Sequence, residues 1–372
     1  MMTLGAFVLA AMAIVPFDQT VQVAKGVKLD VNNFAGDVSV KAWDRDAVRV
    51  EVNHSDRETV DVKQAEQTVT VRARAIRGGP PRSLDYTITV PKWMAVTVSG
   101  TYADVTMDGV GGDVTVETTR GDINVTGGSG VVTLKSIQGE VVLQKAKGRI
   151  EVRSVNEGMR LSDISGDLSA ETTNGSIILD RVDSSNVDLY TVNGNISFDG
   201  PIKDKGLYRL TTHNGMIAMA VPEKANATLL VRTYNGGFRS TFPVPNDAAG
   251  SADARRKRFT LNLGNGSAHV ELESFGGTIA LRRPGEPRPE TERKRRQADH
   301  DHAAMRGGFV GDVVAEAMAE AEASIPAAIA EATAAIPDAI AEAMESAFAI
   351  PMPMPMVVPV PHPLPVPAPR RR

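Results

Sequence analysis

Between residues 93 and 283 apolar and polar side chains alternate in runs of five or six, and glycines separate the runs. Alternation with period two marks a strand that buries one face. Glycines at 112, 121, 130, 139 and 148 stand nine apart, and others follow at 158, 166 and 175. Nine residues make one strand and one turn, so two strands make an 18-residue coil. Stepping by 18, the inward pair of the first strand reads Val96/Val98, Val114/Val116, Val132/Leu134, Ile150/Val152 and Leu168/Ala170. The second strand reads Val105/Met107, Ile123/Val125, Val141/Leu143, Met159/Leu161 and Ile177/Leu179. All twenty positions are apolar. Later coils of 19 and 21 residues keep the pattern in Val187/Leu189, Ile196/Phe198, Ile217/Met219 and Leu229/Val231. The pattern predicts an all-β fold, a β-solenoid of short-coil stacked strands with about 18–21 residues per coil.

The turns repeat with the strands. Thr172-Thr-Asn-Gly175, Thr191-Val-Asn-Gly194, Thr212-His-Asn-Gly215 and Thr233-Tyr-Asn-Gly236 are one motif reused, and Thr118, Ser136 and Ser154 continue its hydroxyl column. Asn-Gly predicts a tight corner with positive φ. Outward residues Glu117, Lys135, Arg153 and Glu171 change sign along the stack, which favours stacking over repulsion. Four inward side chains per coil do not offset the entropy of ordering 18 residues, so coils must share faces with neighbours.

The flanks read differently. Residues 1–17 hold an apolar run, Leu4–Val15, too short to span a bilayer but suited to a signal peptide, with Ala11 and Ala13 offering an A-x-A-like cleavage site. Residues 18–92 alternate without the 18-residue register and are expected to form an irregular cap over the first edge of the regular solenoid at 93–283. Residues 284–308 read as a basic linker, the cluster being Arg282, Arg283, Arg288, Arg293, Lys294, Arg295 and Arg296. Residues 309–350 are Ala/Glu-rich and predict short amphipathic helices, with Pro326 and Pro337 suited to first turns. Residues 351–372 carry proline almost every second position and predict a Pro-rich, disordered tail with polyproline II character.

Composition narrows the chemistry. The chain of 372 residues has no cysteine, hence no disulfide and no thiolate metal site, and its formal net charge of -4 gives no reason to expect nucleic acid as a partner. A polysaccharide-acting enzyme on such a stack needs clustered acids in a groove. Asp104, Asp108, Asp163, Asp167, Asp180 and Asp183 stand beside turns, where aspartate is a common corner residue. The histidines are His54, His213, His269, His300, His302 and His362, and no Ser-His-Asp order stands out among them. Asp299-His-Asp-His302 has no further histidine at metal-binding spacing and reads as polar linker. No catalytic, cofactor-binding or metal-binding residue is therefore expected. His213 and Tyr234 occupy equivalent turn positions with Tyr190 nearby, a corner surface able to bind a partner.

The run Tyr86-Thr-Ile-Thr-Val-Pro91, then Val96-Thr-Val-Ser-Gly100 and the Gly-Asp units at 112, 121 and 166, resembles the bacterial β-strand-repeat family described as "putative adhesin", a domain of unknown function in most members. The resemblance covers about residues 20–283, and Gly36-Asp37-Val38-Ser-Val40 suits the opening segment of that family. It implies a β-solenoid outside the cytoplasm with an adhesin-like label, and it brings no catalytic residues. The expected function is a non-enzymatic, exported cell-envelope β-solenoid whose surface serves binding or assembly, located in the periplasm, on the outer cell surface or secreted. Its expected partner is an envelope or surface protein or glycan, with possible self-association and no transmembrane helix in the mature chain. The competing expectation is a self-assembling, filament-forming structural scaffold.

Overall fold

The computed structural model describes residues 14–79, 81–244 and 258–288, and all regular elements among them are β-strands. The expected helices at 309–350 and the tail at 351–372 lie outside the described residues, as do His300, His302 and His362.

The 18-residue step appears directly in the pairing. Strand Val114–Arg120 lies parallel between Ala95–Tyr102 and Ser129–Gln138, with Val114 opposite both Val96 and Val132. Strand Ile123–Gly127 lies parallel between Val105–Val110 and Val141–Gln144, with Ile123 opposite both Val105 and Val141. These are two ladders of one solenoid-like stack. The strands Met159–Asn174 and Ile177–Asn193 are long enough to turn the corner and serve both. All twenty inward positions named from the sequence are at most 3% exposed and belong to one hydrophobic core. One turn of chain builds one layer of core.

Space does not follow sequence at the two ends. Strands Lys28–Ala35 and Val38–Trp43 join the parallel ladders, with Leu29 opposite Val96 and Val38 opposite Val105. The regular stack thus reaches below residue 93, and the later strands Thr68–Ala75 and Tyr86–Pro91 lie outside that first coil. Antiparallel strands then finish the end: Glu58–Ala65 on Thr68–Ala75, Ala47–Ser55 on Tyr86–Pro91, and Ile14–Gln22 on Ala47–Ser55. Residues 14–17, expected to fall in the signal-like segment, are part of that last strand. At the other end Ala268–Ser274 inserts between Leu207–Thr212 and Ala227–Thr233, and Arg258–Leu263 closes the ladder antiparallel.

The corners correct one expectation. Gly175, Gly194, Gly215 and Gly236 do not have positive φ. They are required for a different reason. A Cβ on Gly194 would lie 1.9 Å from the carbonyl oxygen of Gly175, and one on Gly215 would lie 1.9 Å from that of Gly194. Successive corners approach so closely that only a hydrogen fits between them. Non-glycine residues take up left-handed backbone at the opposite corner, where Lys145, Asp163 and Arg181 hold φ of 55°, 56° and 51° at 18-residue intervals.

Side chains knit the corners along the stack. Asn174 Nδ2 donates to Asn156 Oδ1 at 3.3 Å, Asn193 Nδ2 to Asn174 Oδ1 at 2.8 Å, and Asn214 Nδ2 to Asn193 Oδ1 at 2.9 Å. The arginines at the end of the regular region are not all solvated linker. Arg282 is buried against Asp199 at 2.9 Å, Arg283 lies 3.9 Å from the Phe242 ring centroid, and Arg288 pairs with Asp180. The chain after the last strand, Ile279–Arg282, thus stays against the stack as far as Arg288, and Arg293, Lys294, Arg295 and Arg296 lie outside the described residues.

Tyr86 carries a testable cost. Its ring is in the core, and its buried hydroxyl has no hydrogen-bond partner among the described residues. Burial disfavours the phenolate and pushes its pKa up to about 12. The folded protein therefore holds the proton more tightly than the unfolded chain. That contribution is complete below pH ~10 and is lost as the pH rises to about 12, roughly 3 kcal/mol in all. Tyr86→Phe removes the unpaired hydroxyl and this titration together. Urea melts at pH 7 and pH 11 should show a variant at least as stable as the parent at neutrality and distinctly more stable in alkali.

Candidate functional site

The corner beside the hydroxyl column forms the candidate site. In each coil the hydroxyl residue is buried while its two neighbours point outward, as strand alternation requires. The buried column runs Thr118, Ser136, Ser154, Thr172, Thr191, Thr212, Ser274 and Thr233, each at most 6% exposed. Most of these hydroxyls are tied down at the corner of the preceding coil: Thr172 donates to Glu157 O at 3.0 Å, Thr191 to Gly175 O at 3.0 Å and Thr212 to Gly194 O at 2.9 Å. Ser154 Oγ and Thr233 Oγ1 are buried without a hydrogen-bond partner among the described residues.

Two outward columns flank this floor. The rim preceding the hydroxyls reads Glu117, Lys135, Arg153, Glu171, Tyr190, Thr211, Glu273 and Arg232 in spatial order. The wall following them reads Thr119, Ile137, Val155, Thr173, Val192, His213, Phe275 and Tyr234. Ile137, Val155, Phe275, Tyr234 and Tyr190 are between 39% and 47% exposed. The groove between rim and wall deepens at two places. One depression of about 420 Å³ lies beside Ile137 and Val155, and the other, of about 360 Å³, lies among Tyr190, His213, Phe275 and Tyr234.

The rings form a ledge. His213 and Phe275 are stacked with centroids 4.6 Å apart and planes 3° from parallel, and Tyr234 adds to Phe275 at 5.3 Å. Tyr234 donates from its hydroxyl to Glu273 Oε1 at 3.3 Å. The rim charges are met locally. Lys135 lies 2.8 Å from Glu117, Arg153 2.9 Å from Glu151 and 4.0 Å from Glu171, and Arg232 2.9 Å from Glu271 and 3.4 Å from Glu273.

The sequence singled out His213, Tyr234 and Tyr190, and the structure brings all three to one depression. It missed Phe275, the ring that joins His213 to Tyr234. The signal was present, since Ser274-Phe-Gly-Gly277 repeats the hydroxyl-x-x-Gly corner.

The aspartates named from the sequence hold corners and are not gathered into a site. Asp104 Oδ1 accepts from the Asp122 N–H at 2.8 Å. Asp163 receives Arg181 at 2.7 and 2.8 Å, and hydrogen bonding to that guanidinium holds its carboxyl below the usual range. Asp183 pairs with Lys203 at 3.0 Å and Asp180 with Arg288, while Asp108 and Asp167 are exposed. His54 meets the carbonyl of Ser55, and His269 borders a separate small depression with Tyr208 and Arg209. Among the described residues no three His, Asp or Glu side chains come together as a metal site, and no helix is long and apolar enough to cross a membrane.

A stack of parallel coils with a shared core and an open corner groove defines an all-β, solenoid-like protein. The model of the Toastrack DUF4097 family matches residues 27–282, and the chain belongs to that family, a domain of unknown function. No curated protein matches the sequence significantly. Among solved structures, one described as a "putative cell adhesion protein" from Clostridium sporogenes is 10% identical, covering 73% of this chain and 100% of its own, with a TM-score of 0.20. A "putative lipid binding protein" from Parabacteroides distasonis is 11% identical over 72% of this chain and 96% of its own, with a TM-score of 0.30. A "putative adhesin" from Bacteroides fragilis is 14% identical over 72% and 97%, with a TM-score of 0.26.

Proposed function

We propose that this protein is a non-enzymatic binding scaffold of the bacterial cell envelope, exported and adhesin-like, whose solenoid holds the corner groove rigidly against a surface partner. The observation that carries this reading is the exposed aromatic ledge of His213, Phe275 and Tyr234 on a regular stack. Solvent-exposed rings gathered in a depression are typical of recognition surfaces rather than of packing. Export is supported by the apolar run Leu4–Val15, in which Ala11 and Ala13 offer an A-x-A-like cleavage site.

The filament reading loses support at the ends. Coil-on-coil growth needs a free parallel edge, whereas antiparallel strands finish both ends of one ladder, and the outer strand Glu58–Ala65 carries the charged residues Asp61 and Lys63. Purified protein at micromolar concentration should show no filaments by electron microscopy.

Fractionation and capture test the proposal together. The native protein should be found outside the cytosol with Ile14 as its first residue. Isolated envelope material should retain it, and the triple variant Tyr190→Ala, Phe275→Ala, Tyr234→Ala should lose at least tenfold in that retention. A wholly cytosolic protein, or a triple variant retained as well as the parent, contradicts it.

A further inference from the structure

The two depressions are segments of one track, which narrows the partner. The rim residues lie in continuous register from Glu117 through Lys135, Arg153 and Glu171 to Tyr190 and Glu273. Groove and stack axis are therefore parallel, and each coil offers the same three features at each step: an outward polar rim residue, a buried hydroxyl floor and an outward wall residue. Adjacent strands stand about 4.7–4.9 Å apart, close to the repeat of one sugar in an extended pyranose chain.

We infer that the groove binds an uncharged, linear polysaccharide lying parallel to the stack axis, about one sugar per coil. This rests on the binding-scaffold reading above. Charge supports it first. The rim holds three acidic and three basic side chains, and each lies within 4.0 Å of an opposite charge. A charged polymer would have to break those pairs and gains no net attraction. An uncharged one uses them as they stand, since paired carboxylates, guanidinium and ammonium groups keep spare acceptors and donors for hydroxyls. The wall supports it second. Ile137 and Val155, then Phe275 and Tyr234, present apolar surface for the C–H faces of the sugar rings.

The test titrates the full chain with uncharged β-linked oligosaccharides of two to eight sugars by calorimetry. Affinity should rise at least tenfold from dimer to hexamer, because longer ligands engage more coils. It should fall at least tenfold in Phe275→Ala with Tyr234→Ala, both exposed positions whose loss leaves the circular dichroism unchanged. It should change less than twofold between 50 and 500 mM salt, unlike binding through net charge. Length-independent or strongly salt-dependent binding overturns the inference. So does an apolar peptide that binds where every oligosaccharide fails. If groove variants still lose envelope capture while no glycan binds, the inference falls and the scaffold reading stands. If neither binds, both fall.

Discussion

Gly215→Ala is expected to destabilise the protein by roughly 3 kcal/mol or more, or to prevent folding altogether. The added Cβ would meet the Gly194 carbonyl oxygen at 1.9 Å, and it would also stand 3.0 Å from Thr212 Oγ1. Neither neighbour has room to yield. The Gly194 carbonyl already accepts the buried Thr212 hydroxyl, and a Cβ on Gly277 of the next coil would lie 1.7 Å from Gly215 O. The control is another glycine of ordinary φ. At Gly237 the nearest atom to an added Cβ is Thr278 Oγ1 at 3.9 Å, so Gly237→Ala should cost less than about 0.5 kcal/mol. Denaturant melts of the two variants measure the difference. Equal midpoints would show that the corners are looser than the stacking requires.

Phe198→Ala is the second large effect, expected at roughly 3–5 kcal/mol by the same melts. Phe198 is fully buried, lies opposite Leu179 and Met219 in the adjacent coils, and meets Tyr208 edge-on at 5.8 Å. A cavity there opens three layers of core at once. Phe275→Ala provides the contrast. That ring is 41% exposed, and its removal should cost under about 0.5 kcal/mol while weakening groove binding. A phenylalanine that stabilises the fold and one available for recognition are thus separated by the same substitution. A costly Phe275→Ala would move that ring into the structural class.

The periodicity was legible because each coil solves the same problem with the same residues. An inward pair on each strand, a hydroxyl and a glycine recur every 18 to 21 positions, so a step of 18 alone yields pairs such as Val116 with Leu134. The order of coils at the ends was not legible. Each parallel edge offers equivalent backbone groups and a similar aliphatic face, so Ala268–Ser274 pairs as well with Leu207–Thr212 as Ala227–Thr233 would. Nothing in the alternation around Leu229 and Val231 says which coil lies next. That ambiguity hid Phe275, the middle ring of the three in the aromatic ledge. The corner glycines were identified correctly, but for the wrong physical reason. Asn-Gly signals positive φ in an isolated turn, whereas stacked turns select glycine through the closeness of neighbouring corners.

Distances between spin labels test the stack most directly, and the absence of native cysteine makes them accessible. With one label at Glu117→Cys, partners at Tyr190→Cys, Thr211→Cys, Glu273→Cys and Arg232→Cys lie successively farther along one ladder. At one strand spacing per coil the separations should be about 19, 24, 29 and 34 Å in that order. Position 273 then falls nearer than position 232, against the order of the chain. A shorter distance to 232 than to 273, or distances that do not climb by one strand spacing per coil, would contradict the stack and the groove built on it.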